Sequence, residues 1–96
     1  MFSMKIDAVF VIKRRGVVVT GRVDAGEVRV GDTLWVADRT FRVDGIEAFR
    51  KSLERASAGD TVGLLFRTAE KADFSKGSVL RDSPGDGTQA PATFVL

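Results

Sequence analysis

No apolar stretch in this chain runs far before a glycine or a polar pair interrupts it, and that punctuation constrains the fold more than any other feature. Residues 7–12 end at the basic cluster Lys13-Arg14-Arg15-Gly16, and residues 17–23 end at Asp24-Ala25-Gly26. Val28 and Val30 alternate with Arg29 before Gly31-Asp32, and Leu34-Trp35-Val36 follows. Phe41 and Val43 alternate with Arg42 and Asp44 and continue through Gly45 to Ile46. Residues 62–66 form the most apolar run of the second half, with Val79-Leu80 and Phe94-Val95-Leu96 as later, shorter ones. Many short strands between turn residues read as a sandwich or a small closed barrel. A barrel also removes the exposed strand edges that invite aggregation. The apolar set is rich in Val and Phe, and such β-branched and aromatic side chains suit strands. One segment resists: Ile46, Phe49, Leu53 and Ala56 fall at helical spacing, with Lys51 and Arg55 placed to pair with Glu47 and Glu54. Periodicity alone reads 46–56 as an amphipathic helix. The stretch Ser83-Pro84-Gly85-Asp86-Gly87 reads as a turn or linker, with 86–96 as a C-terminal strand or tail.

The length of 96 residues fits one domain with a single modest core, so 1–96 is read as one unit. Hydrophobic residues make up 44% and charged residues 29%, which excludes a disordered composition. No apolar run approaches the roughly 20 residues of a membrane-spanning helix. The N-terminus lacks signal-peptide architecture. With no Cys to form the disulfides common in small secreted domains, the expected location is the cytoplasm.

The residues that are missing limit the chemistry. With no His and no Cys there is no imidazole base, no thiolate and no nitrogen or sulfur ligand set for zinc. No spacing of Asp and Glu places two in one cleft as an acid–base pair. The expectation is a chain that is not an enzyme, with no catalytic residue, no metal and no cofactor. The segment 16–23, Gly-Val-Val-Val-Thr-Gly-Arg-Val, nearly spells a phosphate-binding loop. However, Arg22 replaces the lysine, Val23 replaces the magnesium-binding hydroxyl, and the interior is β-branched valine rather than flexible backbone. Nucleotide is not expected to bind. Charge is uneven: residues 1–55 carry eleven Lys and Arg against eight Asp and Glu, and residues 56–96 four against five. A basic first half suits an acidic partner, and solvated strand edges explain it too.

Taken with its surroundings, the same segment carries more. Residues 7–31, DAVFVIKRRGVVVTGRVDAGEVRVG, resemble the second domain of the translation GTPases of the elongation factor Tu type. Further pieces follow in the family's order: Gly45-Ile46-Glu47-Ala48-Phe49-Arg50-Lys51, then Ala58-Gly59-Asp60-Thr61-Val62-Gly63-Leu64-Leu65, then Lys76-Gly77-Ser78-Val79-Leu80. The resemblance covers roughly residues 2–85, and ordered motifs are more specific than any one of them. It implies an all-β fold, a six-stranded antiparallel closed β-barrel. It also implies a strand rather than a helix through Phe49, and at most a short helical turn at 71–75. Val18 and Thr20 alternate with Val17 and Val19, so one set packs inward while the other lines a surface. Gly21 leaves room for close backbone approach, and Gly16, Gly26 and Gly31 suit positive-φ turns. Phe10, Val36, Ile46, Val62, Leu64 and Phe66 are expected in the core, and Trp35 as a partly buried barrel residue.

In that family the domain holds the 3′ end and aminoacyl group of charged tRNA, and related domains touch ribosomal RNA. Carried over, the resemblance implies an aminoacyl-end pocket at Asp7, Phe10, Thr20, Glu47, Thr61 and Leu65, with Arg50 beside it. Asp7 stands for a longer carboxylate. Ala8 replaces a usual acidic residue and Thr61 a usual Asn, so two polar groups that would hold the amino-acid end are gone. The turn at Lys13, Arg14 and Arg15 is more basic than the family's, and it suits phosphates. The reading is therefore a stand-alone domain-2 barrel that binds RNA or a ribonucleoprotein through Lys13, Arg14, Arg15, Arg22 and Arg50. The alternatives are a protein–protein adaptor with a partner protein, and an excised domain of a larger translation GTPase.

Overall fold

The computed structural model describes residues 1–84; the expected C-terminal strand or tail at 86–96 lies outside them. The elements are β1 (Ser3–Lys5), β2 (Ala8–Ile12), β3 (Gly16–Ala25), β4 (Glu27–Arg29), β5 (Thr33–Val36), β6 (Arg39–Arg42), β7 (Gly45–Ala48), β8 (Lys51–Leu53), β9 (Arg55–Ser57), β10 (Thr61–Phe66) and β11 (Val79–Arg81), with one 3₁₀ turn at Lys71–Asp73. The paired strands run antiparallel in the order β6-β5-β11-β1-β3-β10-β7-β8, β2 adds to β3, and β4 pairs with β9 as a separate ribbon. The all-β class holds. The sheet is curled, its strands are short, and among the described residues its end strands β6 and β8 do not pair with each other.

The extra strands arise where adjacent backbone groups turn to different neighbours. Ile6 N–H donates to Ser78 O at 2.7 Å, while the next residue, Asp7, donates to Thr20 O at 2.8 Å. Val43 N–H donates to Asp32 O at 2.9 Å, while Asp44 donates to Leu65 O at 2.8 Å. Each switch is a corner at which a long strand changes partner. One corner separates β1 from β2, and the other separates β6 from β7.

Pleating sorts the side chains. Val17, Val19 and Val23 of β3 are buried with Met4, Ile6, Leu34, Val36, Ile46, Val62, Leu64, Phe66 and Leu80. Each fully buried apolar side chain of this size contributes about 1.5–3 kcal/mol. Phe41, Phe66 and Phe74 close one end, with ring centroids 5.0 Å apart for the pairs to Phe74 and 6.2 Å for Phe41–Phe66. Trp35 is half-buried, as expected. Phe10 is not in the core. It pairs with Val18, which belongs to the outer half of the β3 alternation, and it is 51% exposed.

The helix that periodicity suggests over 46–56 does not form. Glu47 pairs with Ser52 and Ala48 with Lys51 in a tight hairpin whose two tip residues are Phe49 and Arg50. Glu47 bonds Arg15 and Arg55 bonds Glu27, so the helical ion pairs are absent as well. The short turn expected at 71–75 is present as the 3₁₀ turn.

Two loops share one design. In Arg29-Val30-Gly31-Asp32 and Ser57-Ala58-Gly59-Asp60, the Asp N–H donates to the carbonyl three residues back. The Asp carboxylate accepts that same residue's N–H, at 2.8 and 2.9 Å. The glycines sit at φ +97° and +96°, the left-handed position a type II turn reserves. Gly21 meets the other glycine demand. A Cβ there would lie 2.4 Å from the Lys5 carbonyl oxygen, so β1 crosses β3 only because no side chain intervenes. Among the described residues no helix is long and apolar enough to cross a membrane.

Candidate functional site

The pleat that buries Val9, Val19, Leu64, Ile46 and Leu53 as one cross-strand row turns the neighbouring rows outward. One outer row runs Ala8, Thr20, Gly63, Glu47, Ser52 across β2, β3, β10, β7 and β8. The next runs Phe10, Val18, Leu65, Gly45. Cross-strand partners stand about 4.5–5.5 Å apart on a shared face, so these residues form one continuous surface. Gly63 stands at its middle, where a Cβ would meet Val18 Cγ1 at 3.0 Å and Thr20 Cγ2 at 3.7 Å, so the neighbouring side chains already lean over the glycine. The result is a shallow saddle with a hydroxyl on one side, a carboxylate on the other and apolar groups alongside.

Arg15 closes one end of the saddle. Its Nη2 lies 2.8 Å from Glu47 Oε2, and Arg15, Gly45, Glu47 and Leu65 line one cleft. Leu65, on the outward row, is nevertheless only 3% exposed and does not belong to the main core cluster.

The pocket residues named from sequence thus share a face. Phe10, Thr20 and Glu47 stand on the saddle, Leu65 lies beneath it, and Thr61 continues it opposite Arg22. Asp7 lies at the corner before β2, its backbone bonded to Thr20. The basic residues do not form one patch. Lys13 and Arg14 occupy the turn between β2 and β3, while Arg22 lies near the far end of β3. At about 3.3 Å per strand residue the two are roughly 20 Å apart. Arg50 sits at the β7–β8 tip, with φ +67° beside Phe49 at +51°. Phe49 is 92% exposed.

Four cations escaped the sequence reading. Arg67 and Lys71 line a pocket with Lys13, Arg14, Arg15, Val11 and Ile12. They are distant in sequence and arrive there because Phe66 pairs with Val17. Lys5 and Lys76 join Arg22 at the opposite end. Only the strand register reveals either cluster. No group of three His, Cys, Asp or Glu among the described residues is placed to hold a metal ion.

A curled antiparallel sheet with polar, apolar and basic groups on one outer face places the chain among β-barrel-type domains. The sequence model of elongation factor Tu domain 2 matches residues 16–81, and the chain belongs to that family. Domain 2 of this family is a non-catalytic β-barrel of translation factors.

Proposed function

We propose that this domain binds RNA in the cytoplasm, as a translation-related module that takes a tRNA 3′ end or a ribosomal RNA segment on its outer face. The observation that carries the reading is the alignment of Thr20, Gly63 and Glu47 in one cross-strand row, with the cations of the β2–β3 turn at one end and Arg22 at the other. The row offers a hydroxyl and a carboxylate to the sugar hydroxyls and base edges of an RNA lying across it, and the cations hold the phosphates that position it. Ala8 and Thr61 offer less to an amino-acid group, so the reading favours the RNA end itself over the aminoacyl group. We read the corners at 6–7 and 43–44 as bends within the family's closed six-stranded barrel.

Exposed Phe10, Val11 and Ile12 on β2 favour one rival, a protein–protein adaptor docking through apolar contact. Titrating salt against the affinity for a short single-stranded RNA separates the two. RNA held through phosphates loses affinity steeply as salt rises. An adaptor shows no RNA affinity at low salt, and its protein contacts change little with salt.

A further inference from the structure

The far end of β3 holds a groove of about 500 Å³ lined by Lys5, Asp7, Arg22, Asp24, Thr61 and Lys76, with Gly21 and Gly77 in its wall. Three strands and a loop meet there. Gly21 lets β1 lie against β3, and Ile6 bonds the 77–78 segment on both its N–H and its C=O, at 2.7 and 2.8 Å. That pair of hydrogen bonds holds Lys76 beside Lys5, and the Arg22–Thr61 pairing of β3 with β10 adds the third cation and a hydroxyl. Among the described residues none of Lys5, Arg22 and Lys76 is ion-paired. The contrast is with Arg15, Arg29, Arg39 and Arg55, which each face a carboxylate. Three unpaired cations on a concave surface attract a phosphate. Asp7 and Asp24 on the same wall favour a ligand that brings hydroxyl donors with its charge, and oppose a bare polyanion. A ribose–phosphate unit meets both demands, because its 2′-hydroxyl donates to a carboxylate where deoxyribose has nothing to give.

We propose that Lys5 and Lys76 extend the outer face into a second phosphate site in this groove, which shares Arg22 with that face and Asp7 and Thr61 with the pocket the resemblance implies, and that it takes one ribose–phosphate unit of single-stranded RNA and discriminates RNA from DNA. The proposal rests on the RNA-binding reading and deepens it. Arg22 and Thr61 stand on the outer face one step beyond Thr20 and Gly63, so a strand on the saddle continues into the groove without leaving the surface. The groove lies roughly 20 Å from the Lys13–Arg14 turn, so the two basic ends grip different nucleotides.

The test uses the full chain with uridine and deoxyuridine dodecamers, plus inorganic pyrophosphate as a minimal probe. Amide NMR shifts locate each ligand, and fluorescence anisotropy gives affinity against salt. Wild-type protein is expected to bind the RNA several-fold more tightly than the DNA, with pyrophosphate shifting the amides of Gly21, Thr61 and Gly77. Replacing both lysines, Lys5→Ser with Lys76→Ser, is expected to flatten the salt slope by about 1.4, since each single-strand phosphate contact accounts for about 0.7. Asp24→Asn is expected to reduce the preference for RNA over DNA while keeping the slope. These side chains are exposed, so the variants are expected to keep the wild-type amide spectrum. RNA binding left unchanged by the double lysine variant overturns the second site and leaves the broader reading standing. Pyrophosphate shifts at the groove with no RNA affinity overturn the RNA reading and keep a phosphate site. Equal affinity for the two dodecamers overturns the ribose discrimination.

Discussion

Arg15, at the turn between β2 and β3, reaches across the saddle to Glu47 on β7, with Nη2 2.8 Å from Oε2. The contact joins the basic turn to the polar row and, among the described residues, leaves Lys13 and Arg14 as that turn's unpaired cations. The two bridged side chains are 51% and 40% exposed, so water screens the pair and it contributes at most about 1 kcal/mol.

Glu47→Gln is therefore expected to leave the melting temperature nearly unchanged. A small domain moves about 4–8 °C per kcal/mol, so a larger drop means the pair does more than tie the β2–β3 turn to β7. The change also releases Arg15 for phosphate. RNA affinity at low salt is expected to rise, and the slope of log affinity against log salt to steepen by about 0.7. Weaker binding with an unchanged slope means that the Glu47 carboxylate accepts a hydroxyl of the bound RNA and that this contact outweighs the release of Arg15.

Two phenylalanines in strands that both flank β3 separate core from surface. Phe66 is buried within the three-ring cluster, and Phe66→Ala is expected to cost about 3–5 kcal/mol. That is a large share of a total stability of about 5–15 kcal/mol. Phe10→Ala is expected to cost less than about 1 kcal/mol, because half of the ring already faces water. Chemical denaturation of the two variants measures both. Equal costs contradict the assignment of Phe10 to the outer face.

Phe10 also shows where sequence stops being sufficient. The alternation along β3 was legible, because polar Thr20 and Arg22 fall on the side opposite apolar Val17, Val19 and Val23. Which side Phe10 takes depends on the register of β2 against β3, and Ala8-Val9-Phe10-Val11-Ile12 is apolar at every position. The five-strand face was partly readable from the family motifs, which named Thr20, Glu47 and Leu65 together. The groove was not, because Lys5, Arg22 and Lys76 meet only through the Gly21 crossing and the Ile6 corner. Helical spacing over 46–56 misled for a different reason. A hairpin with a two-residue tip repeats apolar positions at similar intervals, and pairing to β10 decides between the two.

The hairpin tip is built from residues poorly suited to it. Phe49 and Arg50 both sit at positive φ, 51° and 67°, where a two-residue hairpin normally carries Asn-Gly. Non-glycine residues held there cost about 1–3 kcal/mol each. Replacing the pair, Phe49→Asn with Arg50→Gly, is expected to raise stability by about 1 kcal/mol or more. The same variant is expected to lower RNA affinity, because it removes an exposed ring and a cation from the edge of the saddle. Thermal melts and anisotropy read both effects. Unchanged RNA affinity removes the tip from the binding surface.

Gly21→Ala is expected to destabilise the fold by about 1–3 kcal/mol, the usual cost of overpacking. Its Cβ meets the Lys5 carbonyl oxygen at 2.4 Å, and backbone, unlike a flexible side chain, has little room to yield. Hydrogen exchange is expected to show the weakening first in β1 and at the Ile6–Ser78 bond. An unaltered melt means that β1 shifts without cost and that the crossing does not need glycine.

The most direct measurement of the central claim is the salt dependence of single-stranded RNA binding by wild-type protein and by the variant carrying Lys13→Ser, Arg14→Ser and Arg15→Ser together. The turn lies outside the buried core, so the variant is expected to fold with stability within about 0.5 kcal/mol per surface change. Wild-type affinity is expected to fall steeply as salt rises. The variant is expected to bind more weakly at low salt, with a slope flatter by about 0.7 for each phosphate it no longer holds. Wild-type protein with no RNA affinity at low salt, or a variant that binds with wild-type affinity and slope, contradicts RNA binding at this face.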